Sequence, residues 1–270
     1  MTFGDVIRRS VYGTTGYLDD EQDLEVLERT IVRNLPILRC FRQVIVATNY
    51  GEASESALAP GNTSLWRRYF PDCVILDSPF NRGHSIGTSD LDNLLFDHCK
   101  ANAIPWLCKG SNDVLLDERV LDIPVSEGQF YFVQAVSYNA LRQQDFDLSP
   151  FTTGFFFPQT TFYAIDVQAT DYLVDKDFLE RSWRIVNRIP DYNGRIWEHI
   201  PGWSCEHLLR QCVLRNRLTR APLMTDEQFL QVLQIVIDQQ IEDCSFKGLS
   251  INGIRHAQTP RDIDSVVTDV

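Results

Sequence analysis

The sequence predicts an α/β fold: a mostly parallel sheet flanked by helices, followed by a mixed part rich in aromatic residues and helices. Three observations carry that prediction. Short apolar, β-branched runs alternate with amphipathic segments from Asp5 to Asp113, the connections between them are short, and no linker is long enough to demand two independent domains. After that point the pattern changes to longer runs with alternating aromatics and then to segments of helical period.

Taken in order, Asp5 to Tyr12 reads as a first strand, with a turn at Gly-Thr-Thr-Gly. From Asp23 to Arg39 the residues Leu24, Leu27, Ile31, Leu35 and Leu38 recur at spacings of three and four, which is one face of a helix. Gln43 to Asn49 is apolar and β-branched, as a strand buried on both faces should be. Asn62 is the expected N-cap of the next helix, and Cys73 to Asp77 the next strand. A polar loop from Asn81 to Thr88 then leads to a helix from Asp90 to Ala101, with Ser89 as its cap and Leu91, Leu94, Leu95 and Cys99 inward. Ile-Pro-Trp-Leu-Cys is a buried strand. Beyond it, Gly128 to Asn139 and Gly154 to Val167 read as strands, and Asp177 to Asn187, Ser204 to Asn216 and Asp226 to Cys244 as helices. The expected organisation is a ligand-binding half over 1–135, an acceptor-side half of the same domain over 136–260, and a poorly ordered acidic tail over 261–270.

Composition excludes several classes. The 270 residues are 44% hydrophobic, enough for a substantial core, and a net charge of −12 with no Lys/Arg run argues against nucleic acid or anionic lipid as a partner. The seven cysteines are scattered without a Cys-x-x-Cys pair, so neither a disulfide framework nor a zinc site is expected. Nothing resembles a signal peptide or a transmembrane run, and the expected location is cytoplasmic.

In an open parallel sheet, ligands bind beyond the carboxyl ends of the strands. That rule brings Asn49, Asp77, the loop with Asn81, Arg82, Gly83 and His84, and then Lys109, Ser111 and Asp113 to one rim. Gly83 and Gly87 allow close backbone approach, and Arg82 and Lys109 supply cations in an otherwise acidic chain. Each residue also has an ordinary structural reading. Asp113 could close an Asx turn, Asp90 could favour a helix N-terminus with Asp92 in solvent, and Glu206 could be a first-turn glutamate behind a Ser204 cap.

This order, with the polar strand end at Asn49, the Asn-x-Gly loop at Asn81 to Gly83 and the acidic motif after a buried strand, resembles the nucleotide-diphospho-sugar transferases of GT-A type. The resemblance covers about residues 5–135. It implies a Rossmann-like GT-A sheet and a glycosyltransferase that takes a sugar from a nucleoside-diphosphate donor to a carbohydrate or other hydroxyl acceptor. In that family an Asp-x-Asp motif holds Mn²⁺ or Mg²⁺. Here the triplet is Ser111-Asn112-Asp113, keeping the last acid and replacing the first. One or two protein carboxylates suffice when a diphosphate and water supply the other oxygens. Without metal, Lys109, Arg82 or Arg255 would neutralise the phosphates. Some members complete the metal site with a C-terminal histidine, which places His256 beside Asp113 as an expected ligand. The resemblance further implies Asn49 and Asp77 on the nucleoside side, and Asn81, Gly83 and His84 at the phosphates. Glu206 is the candidate base, with Glu198 near Trp197 and Trp203 as another acid suited to a sugar pocket. Two alternatives stand beside this one: a sugar nucleotidylyltransferase, disfavoured by the acidic Leu18-Asp-Asp-Glu-Gln-Asp run where that group carries cations, and a non-catalytic carbohydrate-binding or assembly protein, favoured by Ser111.

Overall fold

The structure is a computed structural model that describes residues 1–16, 18, 20–49, 59–136, 158–190, 219–222, five positions between 225 and 234, 249–257, 259–265 and 268–269. The chain opens with a short helix, α1 (Phe3–Ile7), where a strand is expected. Thr2 and Asp5 form a capping box, with the Thr2 amide donating to Asp5 Oδ2 at 2.7 Å, and Phe3, Val6 and Ile7 are buried at helical spacing. The first strand is therefore displaced to β1 (Ser10–Thr15) and absorbs the residues expected to turn. Gly13 belongs inside that strand for a packing reason: a Cβ there would lie 2.9 Å from Leu107 Cδ1 and 3.0 Å from Leu95 Cδ1.

The expected alternation follows. Helix α2 (Glu21–Leu38) is capped by Asp20, which accepts from the Asp23 amide at 2.9 Å, and leads to β2 (Gln43–Thr48). Next come α3 (Ala59–Tyr69) and β3 (Val74–Asp77), and Asn62 lies inside α3 rather than capping it. A π-turn over Gly83–Gly87 runs straight into α4 (Thr88–Ala101), so Ser89 is a buried first-turn residue and not a cap. Then follow β4 (Trp106–Ser111), β5 (Val114–Leu116) and a 3₁₀ turn over Glu118–Asp122. The later half contributes β6 (Gln129–Val136), β7 (Pro158–Asp166), α5 (Lys176–Val186) and β8 (Thr219–Pro222). The chain closes with β9 (Leu249–Ser250), β10 (Ile254–His256), α6 (Pro260–Asp264) and β11 (Thr268–Asp269). The helices expected over Ser204 to Asn216 and Asp226 to Cys244 fall on or largely on residues outside those described.

Seven strands form the main sheet in the order β3-β2-β1-β4-β7-β6-β8. The first four are mutually parallel, β7 is antiparallel to both β4 and β6, and β8 is parallel to β6. Strand order reverses between β1 and β4, which sets the switch point there. Alternate strand residues feed two cores: Tyr12, Val44, Val46 and Cys108 pack with Leu27, Ile31 and Trp66 of α2 and α3, while Val11, Ile45 and Leu107 pack with Leu91 and Leu95 of α4 and Leu179 of α5. Among the described residues no helix is long and apolar enough to cross a membrane.

The described residues of the tail are held to the rest of the chain. Thr259 and Asp262 form a capping box for α6, Asp264 pairs with Arg29 of α2 at 2.7 Å, and β11 pairs with β9. Arg255, one of the expected phosphate cations, donates to the carbonyls of Asp262 at 3.1 Å and Ile263 at 2.9 Å and so caps the end of α6. Ahead of it, Asn252 (φ 50°) and Gly253 (φ 80°) make a two-residue turn between the bridged residues Ile251 and Ile254. Both positions have positive φ, which is why Asn-Gly stands there. A Cβ on Gly253 would also meet Asp117 Oδ1 at 2.5 Å.

Candidate active site

At the switch point the C-terminal ends of β1 and β4 meet. Gly16 follows β1, its amide donating to Ala47 O at 3.2 Å, and a Cβ there would come within 2.5 Å of Asn112 Nδ2 and 2.8 Å of Asn62 Nδ2. Glycine thus lets two carboxamides converge on the backbone. Asn62 Nδ2 donates to Gly16 O at 3.4 Å, and Thr14 Oγ1 to Asn112 Oδ1 at 3.1 Å. Asn62 Oδ1 and Asn49 Oδ1 are buried without a hydrogen-bond partner, an arrangement proteins avoid unless something else satisfies the group. Sequence reasoning places Asn112 here, within the Ser111-Asn112-Asp113 triplet, but misses Thr14 and Asn62 as rim residues. The rim rule, applied to the end of β1 as well as β2 to β4, would find Thr14.

Next to this cradle stand Asp113 and His256. Strands β5 and β10 are antiparallel with Val114 opposite His256, and the Ala257 amide donates to Asp113 O at 2.9 Å. This register brings His256 Nε2 to 2.7 Å from Asp113 Oδ2, with the imidazole 6% and the carboxylate 27% exposed. Asp113 Oδ1 is buried and accepts no hydrogen bond. Behind the pair, Asn34 of α2 donates to Val114 O at 2.7 Å and accepts from the Leu116 amide at 2.8 Å, fixing β5 from inside the core. Tyr12 lies over Gly110, where a Cβ would collide with its hydroxyl, and burial first, then the charge of Asp113, pushes the phenol well up.

Burial raises the Asp113 carboxyl, but the His256 charge and hydrogen bond, a backbone bond and Lys109 outweigh it and hold the group below 3.8. The folded state therefore binds a proton here less readily than the unfolded chain, so the contribution is full above about pH 3.8 and is lost as pH falls through the lower folded value. In thermal melts, the difference between wild type and Asp113→Asn should shrink as pH falls below about 3.8. A difference that grows below that pH would contradict the depressed carboxyl.

Other predicted rim residues are placed differently. Lys109 points to the α4 side of the sheet, 4% exposed, with Nζ 3.9 Å from Asp92 Oδ1, and Asp92 is 1% exposed rather than solvated. The reason is that Leu95, Phe96 and Cys99, three, four and seven residues further on, are all buried, so regular helical spacing carries Asp92 on the inner face. Arg82 is engaged within the protein: Nε and Nη2 donate to Asp90 at 2.7 and 2.5 Å and Nη1 to Glu180 at 2.5 Å, so the guanidinium clamps the loop to α4 and α5. Asn81 Oδ1 accepts from Asn49 Nδ2 at 3.2 Å and from the Gly83 amide at 3.3 Å, tying the loop to the end of β2. Asp77 Oδ1 accepts from Thr48 Oγ1 at 3.0 Å. Ser111 ends β4 opposite Thr15. His84 lies within the π-turn, its side chain outside the described residues, as are Glu206, Glu198, Trp197 and Trp203 altogether.

Among the described residues no group of three or more His, Cys, Asp and Glu could hold a metal ion unaided. Asp113 and His256 are nevertheless of the oxygen and nitrogen donor types that a divalent cation takes, and the orphaned Asp113 Oδ1 is an acceptor awaiting a partner. The pair fits such an ion if a bound ligand completes its shell.

No family model matches the chain, and no curated protein sequence does either. Solved structures overlap it loosely. A glycosyltransferase involved in the glycosylation of the major capsid of PBCV-1 is 8% identical, with 79% of this chain and 80% of that one covered at a TM-score of 0.38. A mannose-1-phosphate geranyltransferase from Thermus thermophilus is 10% identical, over 80% and 69% of the two chains, at 0.38. A nucleoside-diphosphate-sugar pyrophosphorylase from Vibrio cholerae is 9% identical, over 79% and 90%, at 0.40. Overlaps this loose carry no argument about chemistry, which rests on the geometry above.

Proposed function

We propose that the chain is an enzyme acting on a nucleoside-diphosphate-sugar, a glycosyltransferase that passes the sugar to a hydroxyl acceptor. The observation that supports this most is the Asp113–His256 pair beside the switch point, with one buried carboxylate oxygen left unpartnered. Asp113 and His256 would hold Mn²⁺ or Mg²⁺ together with the diphosphate of the donor. A divalent cation bound there supplies positive charge against the leaving nucleoside diphosphate. Gly16, Asn62 and Asn112 would receive the donor between β1 and β4, with Asn49 and the Asn81–Gly83 loop at its flank. Lys109, buried beneath them, adds a fixed positive charge on the α4 side. In the reaction the bond from the anomeric carbon to the diphosphate oxygen breaks, and a bond from that carbon to the acceptor oxygen forms. The acceptor's proton passes to a base, for which Glu206 is proposed.

A thermal-shift panel of nucleoside diphosphates and their sugars, each with and without Mn²⁺, tests the reading. A ligand at about a hundred times its dissociation constant stabilises the native state by roughly 2.7 kcal/mol. One nucleotide should raise the melting temperature, and Mn²⁺ should enlarge its effect. No shift with any nucleotide in either condition would leave the non-catalytic carbohydrate-binding account, which Ser111 favours, in its place.

A further inference from the structure

The end of the sheet opposite the candidate site carries a charge pattern that the linear sequence hides. Every helix that precedes one of the first three strands finishes at that end with arginine. Arg8 and Arg9 form the turn between α1 and β1, Arg39 and Arg42 the turn between α2 and β2, and Arg67 and Arg68 the last turn of α3 before β3. The parallel pairing of β1, β2 and β3 brings these turns side by side, and the Arg42 amide donates directly to Ser10 O at 3.0 Å. All six side chains are exposed. Arg68 is paired with Glu28 at 2.7 Å, whereas among the described residues Arg8, Arg9, Arg39, Arg42 and Arg67 make no ion pair; Arg9 Nη2 has only Met1 Sδ, at 3.8 Å. Asp5, three residues before Arg8, and Asp72, four after Arg68, are the acids nearest in sequence to this group.

We infer that this arginine-bearing end is a docking surface for an anionic phospholipid membrane, which would bind the protein with its candidate site facing away. Among the described residues this end is made of the turns that lead into three adjacent strands, which spreads the cations over a broad face. Its composition favours phosphate, since all six cations are arginine, whose planar fork meets phosphate oxygens through two donors. Met1, 49% exposed and beside Arg9, offers an apolar side chain to the interface. The net charge of −12 opposes binding where acids come near the lipid, and Asp5, Asp72 and Asp122 are exposed at this end, three acids against the six arginines. The acids that open α2, namely Glu21 and Asp23, sit at the far end of an 18-residue helix, about 27 Å away. That is more than three Debye lengths at physiological salt, about 8 Å each, so a membrane docked at the arginines is screened from them. A flexible polyanion long enough to wrap the molecule would meet those acids.

Cosedimentation of the full chain with phosphatidylcholine vesicles, with and without about a third phosphatidylserine, reads the proposal directly. The protein should partition onto the anionic vesicles only, and raising salt should release it. The fourfold substitution Arg8→Gln, Arg9→Gln, Arg39→Gln and Arg42→Gln should weaken partitioning by about a hundredfold or more, while wild-type binding to the two vesicle types is informative even if that variant folds poorly. Equal binding to neutral vesicles, no binding to either, or unchanged partitioning of a folded variant would overturn the inference. So would a wild-type preference for an oligonucleotide over anionic vesicles.

Discussion

Replacing Asp113 with asparagine is expected to abolish metal-dependent binding of the donor while leaving the fold in place. The two side chains share a shape, so the substituted carboxamide can still meet His256 across the 2.7 Å gap that Asp113 bridges, and the strand pairing between β5 and β10 does not depend on the charge. The carboxylate's full negative charge is what a divalent cation requires, and the carboxamide lacks it. Donor affinity in Mn²⁺ should fall by about a hundredfold or more, roughly 2.7 kcal/mol, and become indifferent to added metal. Isothermal titration of the variant with the nucleotide found by thermal shift would decide this. An unchanged dissociation constant and metal response would remove Asp113 from the site.

The largest expected change in stability comes from Asn34→Ala. Asn34 is 1% exposed and carries two hydrogen bonds to the backbone of β5, one to Val114 O and one from the Leu116 amide. Truncation would leave both groups buried without partners, at about 1–3 kcal/mol each, so a loss of about 3 kcal/mol is expected in urea unfolding. Donor affinity should fall as well, because Val114 is the residue opposite His256. A loss below about 1 kcal/mol would show that β5 is held by other contacts.

Much of the first half is legible in the sequence because its signals are local. Period and β-branching identify α2, β2, β3, α4 and β4, and the rim rule selects Asp113. The failures share a cause. The first strand starts later than its β-branched run suggests because the capping box at Thr2 and Asp5 overrides that run, and Asp92 is buried rather than solvated because it shares the inner face of α4 with Leu95, Phe96 and Cys99. Arg82 and Arg255 look like available cations in the sequence, but their partners Glu180 and the end of α6 lie far along the chain or in a tail expected to be loose. The Asn252-Gly253 turn is within reach, since Asn-Gly flanked by isoleucines is a strong hairpin signal. Asn34's hold on β5 is not, because nothing local marks a helix asparagine whose partners are in a strand that follows four others.

The pairing of β5 with β10 also has a consequence for how the protein comes into being. During synthesis β1 to β4 emerge first and can assemble with α2 and α4 around Asp113, but its imidazole partner is supplied from the last part of the chain. Contacts between residues so distant in sequence form late, because the intervening segment must lose its freedom before they can stabilise anything. A nascent or C-terminally clipped chain would therefore display a finished sheet edge with Asp113 on it and no His256 opposite. Competence would arrive only once β10 has been made and has paired with β5.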